Sequence, residues 1–159
     1  WAFSTAGVAA ETLYAAVAEV AVRGGLAGFD PQALANTVWA YATAGVAADE
    51  LFAAVAEAAV RSKLADFKPP ALSITVWAFS TAGVAAETLY AAVAEVAVRG
   101  GLAGFDPQAL ANTVWAYATA GVAADELFAA VAEAAVRSKL ADFKPPALSI
   151  TVWAFSTAG

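Results

Sequence analysis

From Pro31 to Ala44 the apolar positions return every three or four residues. Leu34, Val38 and Tyr41 fall on one side of a helical wheel, with Ala35 and Ala42 beside them. Gln32, Asn36, Ala40 and Thr43 take the far side, and Trp39 sits on the shoulder. Asp30 is a good N-cap, Pro31 suits the first helical position, and Gly45 supplies the left-handed residue that ends the helix. A second wheel over 47–62 gathers Leu51, Phe52, Val55 and Ala59 into a buried stripe. Asp49 and Glu50 stand in its first turn and Arg61 in its last, which suits the helix dipole at both ends. Glu57 and Arg61, like Glu19 and Arg23, are four apart in the favourable order and read as solvated pairs. The first kind of helix is called A and the second B.

The alanines at the centre of helix B (Ala53, Ala54, Ala56, Ala58, Ala59) predict that successive B helices approach closely. Leu64 and Phe67 in the following connector are expected as plugs beneath the next hairpin. The same two wheels recur along the whole chain. Tryptophan stands at Trp1, Trp39, Trp77, Trp115 and Trp153, always 38 residues from the last, and residues 1–76 recur unchanged at 77–152. A fixed period of this length marks a stacked array of one supersecondary unit. The predicted fold is all-α: a right-handed α-solenoid of stacked helical hairpins, with a 38-residue repeat and a 76-residue super-repeat. The handedness follows by analogy with other helical-hairpin arrays.

The repeats are 1–38, 39–76, 77–114, 115–152 and a partial one at 153–159, forming a single array over 1–159. Helices are predicted at 1–6, 9–23, 31–44, 47–62, 69–82, 85–99, 107–120, 123–138 and 145–158. Leu34, Leu72, Leu51 and Leu127, with the five tryptophans, are expected to form the structural core of the repeats.

Two kinds of repeat alternate. Gly24-Gly25 becomes Ser62-Lys63, Asp30 becomes Lys68 and Gln32 becomes Pro70, so the second helix A start lacks a side-chain cap. On the far side of helix A, Asn36 becomes Ile74. Arrays commonly read ligands from such variable positions on one helix layer. The candidate lining face is therefore Asn36, Thr43, Ile74, Thr81, Asn112, Thr119 and Ile150.

Composition narrows the chemistry. Hydrophobic residues make up 62%, much of it alanine, and the net charge is −6. Histidine and cysteine are absent, which removes the commonest general base, thiolate nucleophiles and the usual transition-metal ligands. No glycine-rich phosphate loop is present, and the carboxylates stand at helix starts or opposite an arginine. The reading is a non-enzymatic chain with no metal and no cofactor. The uncharged stretch Pro69–Ala86 splits at Gly83 into shorter helices, so no membrane span is expected. Basic residues are scattered, with no run that would mark a nucleic-acid footprint.

The segment Leu34-Ala35-Asn36-Thr37-Val38-Trp39-Ala40-Tyr41-Ala42-Thr43-Ala44-Gly45, preceded by Phe29-Asp30-Pro31-Gln32, resembles the octotricopeptide repeat, and so does Leu51-Phe52-Ala53-Ala54-Val55-Ala56-Glu57. That family has 38-residue helical hairpins, and related repeats accompany RAP domains in algal and protist organelle proteins. The resemblance covers the whole chain. It implies a superhelix whose A helices line a surface for single-stranded RNA, in a chloroplast or mitochondrion. Asn36 and Asn112 would line that surface, with Ile74 and Ile150 in the same register. The Pro-Pro-Pro-Glu-Trp signature of the family is absent, since Thr37-Val38 or Thr75-Val76 precedes each internal tryptophan.

The sequence opens at Trp1 within a helix A and stops at Gly159 after one, with no polar capping repeat at either end. Its expected partners are neighbouring repeats or like chains stacked head to tail, and single-stranded RNA if the resemblance extends to function. Three readings stand: a structural or protein-interaction scaffold cut from a longer array, an organelle RNA-binding array, and an artificial consensus repeat.

Overall fold

The computed structural model describes residues 2–138 and 140–159, with side chains from Ala10 onward. Its helices are α1 (Ala2–Arg23), α2 (Pro31–Ala44), α3 (Asp49–Arg61), α4 (Pro69–Ala82), α5 (Glu87–Arg99), α6 (Pro107–Ala120), α7 (Asp125–Arg137) and α8 (Pro145–Ala158). No strand occurs among the described residues. Helices α2, α4, α6 and α8 pack side by side in sequence and form the A layer. Helices α1, α3, α5 and α7 follow one another in the B layer, so the chain is a stacked two-layer helical repeat.

Local chemistry sets the boundaries. Asp30 and Asp106 cap α2 and α6, each carboxylate accepting from a backbone N–H (Ala33 and Ala109) at 2.7 Å. Lys68 holds the same extended backbone before α4 but makes no side-chain cap bond. Gly45, Gly83 and Gly121 end their A helices in the left-handed conformation, φ 68°, 68° and 67°. The next N–H then reaches back to the helix, as from Val46 to the Tyr41 carbonyl at 3.1 Å. Each B helix ends differently. Leu26, Leu64 and Leu102 are themselves left-handed (φ 59°, 54° and 58°), which turns their side chains into the core.

The core runs between the layers as a continuous file. Val38, Val76 and Val114 come from A helices, and Leu51, Leu89, Leu127, Val55, Val93 and Val131 from B helices. Leu34 and Leu72 are buried with them, and so are the connector residues Leu64 and Phe67. Burial of each large side chain contributes roughly 1.5–3 kcal/mol.

Three expectations differ from this structure. Helix α1 is one continuous helix, Ala2–Arg23, where two helices at 1–6 and 9–23 were expected. A glycine permits a left-handed exit but does not impose one. Where a helix A is clamped between A-layer neighbours the turn is fixed; α1 instead packs chiefly on α3, and helix propagation keeps its backbone bonds. Second, the closest helix approach is in the A layer and not between the alanine-rich B helices. The A helices carry small side chains on both flanks, with Ala35, Ala71, Ala78, Ala111 and Ala116 buried, whereas Ala53 of helix B is exposed. Third, Trp39 and Trp153, read as core residues, are 46% and 45% exposed. Trp77 and Trp115 are half-buried, and Trp1 lies outside the described residues.

Candidate interaction surface

On each A helix, four positions spaced four, three and four residues apart share one face. In α4 they are Pro70, Ile74, Trp77 and Thr81; in α6 they are Gln108, Asn112, Trp115 and Thr119. Helix α2 presents Gln32, Asn36, Trp39 and Thr43, of which Asn36 and Thr43 are exposed, and Ile150 of α8 is half-buried. Because A helices stack side by side, these files become the rows of one surface. The candidate lining residues and the tryptophans therefore belong to the same face. Their helical spacing was readable in the sequence. The wheel placed Trp39 on the shoulder of the buried face because it could not register how far neighbouring A helices cover the flanks.

Two of the tryptophans stack across a joint between repeats. The Trp77 and Trp115 rings lie 6.3 Å apart at 30°. Beside them, Gln108 Nε2 donates to Asn112 Oδ1 at 2.8 Å, and Gln32 donates to Asn36 at 2.9 Å. Each asparagine oxygen thus accepts from the glutamine one turn before it. In alternate helices the glutamine and asparagine are replaced by proline and isoleucine, so amide and apolar rows alternate on either side of the tryptophan file.

Charge is segregated between the layers. No Asp, Glu, Lys or Arg occurs within α2, α4, α6 or α8. The B helices carry Glu19–Arg23, Glu57–Arg61, Glu95–Arg99 and Glu133–Arg137 as exposed ion pairs. The remaining charges stand in first turns and connectors, except Glu11 within α1, so none falls within an A helix.

Behind this surface, the joints between repeats are of two kinds. Tyr90 of α5 meets Tyr117 of α6 edge to face at 5.0 Å, and Phe52 of α3 meets Phe79 of α4 at 4.9 Å. Tyr14–Tyr41 and Phe128–Phe155 repeat the alternation. Tyr117 donates to the Tyr90 carbonyl at 2.6 Å, and Tyr90 donates to the Val76 carbonyl at 3.2 Å. Ser80, buried in the tyrosine joint, is alanine (Ala118) in the phenylalanine joint. Burial raises the pKa of Tyr90 and Tyr117 well above the ordinary phenol value, outweighing the hydrogen bonds that lower it. The sequence showed both aromatic substitutions, but not that they face each other.

The splayed B layer leaves clefts of about 530, 690 and 500 Å³ between successive helices α1 and α3, α3 and α5, and α5 and α7. Alanines and one Glu–Arg pair line each of them, joined by first-turn carboxylates of the following B helix: Asp49 and Glu50 in the first, Glu87 in the second, Asp125 and Glu126 in the third. Among the described residues no group of three His, Cys, Asp or Glu could hold a metal ion. None of their helices is long and apolar enough to cross a membrane. No protein-family model matches the chain, and no curated protein matches it significantly.

Proposed function

We propose that the chain is a non-enzymatic interaction scaffold whose working surface is the A layer. The observation that carries this reading is the charge-free A face with its half-buried Trp77–Trp115 stack. Aromatic rings on a rigid helical support give large contact area at little entropic cost, and the Asn and Gln amides can pair with a peptide backbone. With no charge to neutralise, the fitting partner is an extended, uncharged polypeptide segment. The test is selection of displayed peptides against the immobilised chain, followed by titration of the chosen peptide. Binding should quench tryptophan emission, change little between low and high salt, and be lost in Asn112→Asp. A binder indifferent to Asn112→Asp and to Ile74→Asp would overturn the reading.

A second reading has an observation of its own. A tryptophan in every repeat, with Trp77 stacked on Trp115, suits the stacking of successive bases of single-stranded RNA. It accords with the octotricopeptide-like residues of the A helices. Phosphate neutralisation would have to come from Lys68 and Lys144 at the helix starts. Fluorescence anisotropy with a labelled single-stranded RNA pool separates the two, since RNA affinity should fall steeply with salt.

A further inference from the structure

Between successive B helices the layer stays open, and the cleft between α5 and α7 shows what lines the gap. The buried rings of Tyr90 and Tyr117 lie at its floor. Ala91, Ala94 and Val98 of α5 form one wall, and Ala123 belongs to the other. The wall residues of α5 follow one another at intervals of three and four. The cleft therefore follows most of that helix, which is roughly 20 Å long. Side chains this small let another helix axis come within about 8–10 Å.

Charge singles out one kind of cleft. Glu87, Glu95, Asp125 and Glu126 line the α5–α7 cleft against a single cation, Arg99, which Glu95 already pairs. Among the described residues no ion pair engages Glu87, Asp125 or Glu126. The α1–α3 cleft repeats the set, with Glu11, Glu19, Asp49 and Glu50 against Arg23. Four carboxylates against one guanidinium leave a balance of −3 in each. The α3–α5 cleft holds only Glu57 and Glu87 against Arg61, a balance of −1. Thr88 stands there in the place that Glu50 and Glu126 hold in the acidic clefts, and Phe79 replaces the tyrosines. The acidic cleft therefore returns once per 76-residue super-repeat.

We infer that the α1–α3 and α5–α7 clefts each bind a basic amphipathic helix. The partner's apolar side chains enter between the B helices against the alanine and valine walls. Its lysines or arginines meet the unpaired carboxylates at the rim. Charge complementarity selects this occupant: an acidic or neutral helix would leave those carboxylates unmatched, and an anionic lipid surface would be repelled. An extended peptide has no sheet edge to join in an all-α layer. Insertion of a helix into a groove fits instead, since the walls present residues at helical spacing. The site lies on the B layer and does not rest on the function proposed for the A layer.

The test is calorimetric titration of the chain with a leucine–lysine peptide of about four helical turns, apolar along one face. Two peptides should bind per chain, and the affinity should fall about tenfold or more from low to high salt. The same peptide with glutamate for lysine should not bind, nor should one of the same composition shuffled to lose its apolar face. Ala91→Trp with Asp125→Asn and Glu126→Gln fills and neutralises one cleft. All three positions are exposed, and circular dichroism should show the variant folded. It should bind one peptide. Adding Ala15→Trp, Asp49→Asn and Glu50→Gln, also at exposed positions, should abolish binding. The four carboxylate changes without the tryptophans should weaken both sites about tenfold. Asn112→Asp on the A face should leave the titration unchanged. Any stoichiometry other than two, equal binding of the shuffled peptide, survival of binding through the six changes, or its loss in Asn112→Asp would overturn the inference. An uncharged peptide selected on the A layer should still bind the sixfold variant, so the two sites fail or stand separately.

Discussion

The phenol of Tyr117 donates to the main-chain carbonyl of Tyr90 at 2.6 Å while the two rings cross edge to face. In the neighbouring repeats the same two places hold phenylalanines, Phe128 with Phe155 and Phe52 with Phe79. The 76-residue period is therefore an alternation of hydrogen-bonded and apolar joints. Tyr117→Phe should cost about 1 kcal/mol in urea unfolding, the net worth of one buried hydrogen bond. Phe128→Tyr should cost about 1 kcal/mol or less, because the Val114 carbonyl can accept as that of Val76 does from Tyr90, although Ala118 stands in place of serine. The triple change Ser80→Ala, Tyr90→Phe, Tyr117→Phe converts one joint into the other. It should cost less than the sum of its single changes.

Alkaline pH should act on the same joints. The phenols of Tyr90 and Tyr117 are raised above their ordinary pKa by burial, so the folded chain holds these protons more tightly than the unfolded one. Their contribution is fully present below about pH 10, the unfolded value, and is lost as pH rises toward the folded values. Stability followed by urea titration should be level with respect to these groups up to about pH 10. Above it, stability should fall by up to about 1.4 kcal/mol per pH unit for each tyrosine. The triple change above should flatten that fall.

The alternate repeats also differ in backbone fitness. Gly25 and Gly101 take φ 59° and 61° after their B helices, and Lys63 takes φ 53° at the same place. A non-glycine residue there costs about 1–2 kcal/mol. Lys63→Gly should therefore raise the unfolding free energy by about 1 kcal/mol.

Lys68 stands in the N-cap conformation, φ −77° and ψ 156°, close to the −76° and 168° of Asp30. Lys68→Asp should let the carboxylate accept the N–H of Ala71, as Asp30 accepts that of Ala33. The gain expected in thermal or urea unfolding is about 1 kcal/mol.

Outside α1, which runs on through Gly7, the local rules of helix start and stop were legible in the sequence to within a residue or two. Asp30 and Pro31 act through their own backbone neighbours, so their meaning does not depend on distant packing, whereas Gly45 ends its helix with the A-layer neighbours in place. Leu51 and Leu127 are likewise buried by the face their own helix presents. What escaped the sequence depends on more than one helix. The flanks of an A helix are covered by other A helices, which buries Ser73 and Thr75 and leaves Trp39 half in solvent. A single helical wheel contains no such information. The alanines of helix B suggested close packing, yet composition cannot say which flank they occupy or how far a layer splays. The lining face was legible as a file of residues, but its union with the tryptophans appears only when helices are set side by side.

The most direct test of the A face is photo-crosslinking from two positions with a selected uncharged peptide as probe. One photoreactive residue replaces Thr119, exposed on the A file, and the other replaces Ala129, exposed on α7. The account predicts strong crosslinking from position 119, unchanged at high salt and abolished by Asn112→Asp, with none from position 129. Crosslinking from position 129 alone, or capture at position 119 that survives Asn112→Asp and Ile74→Asp, would contradict it.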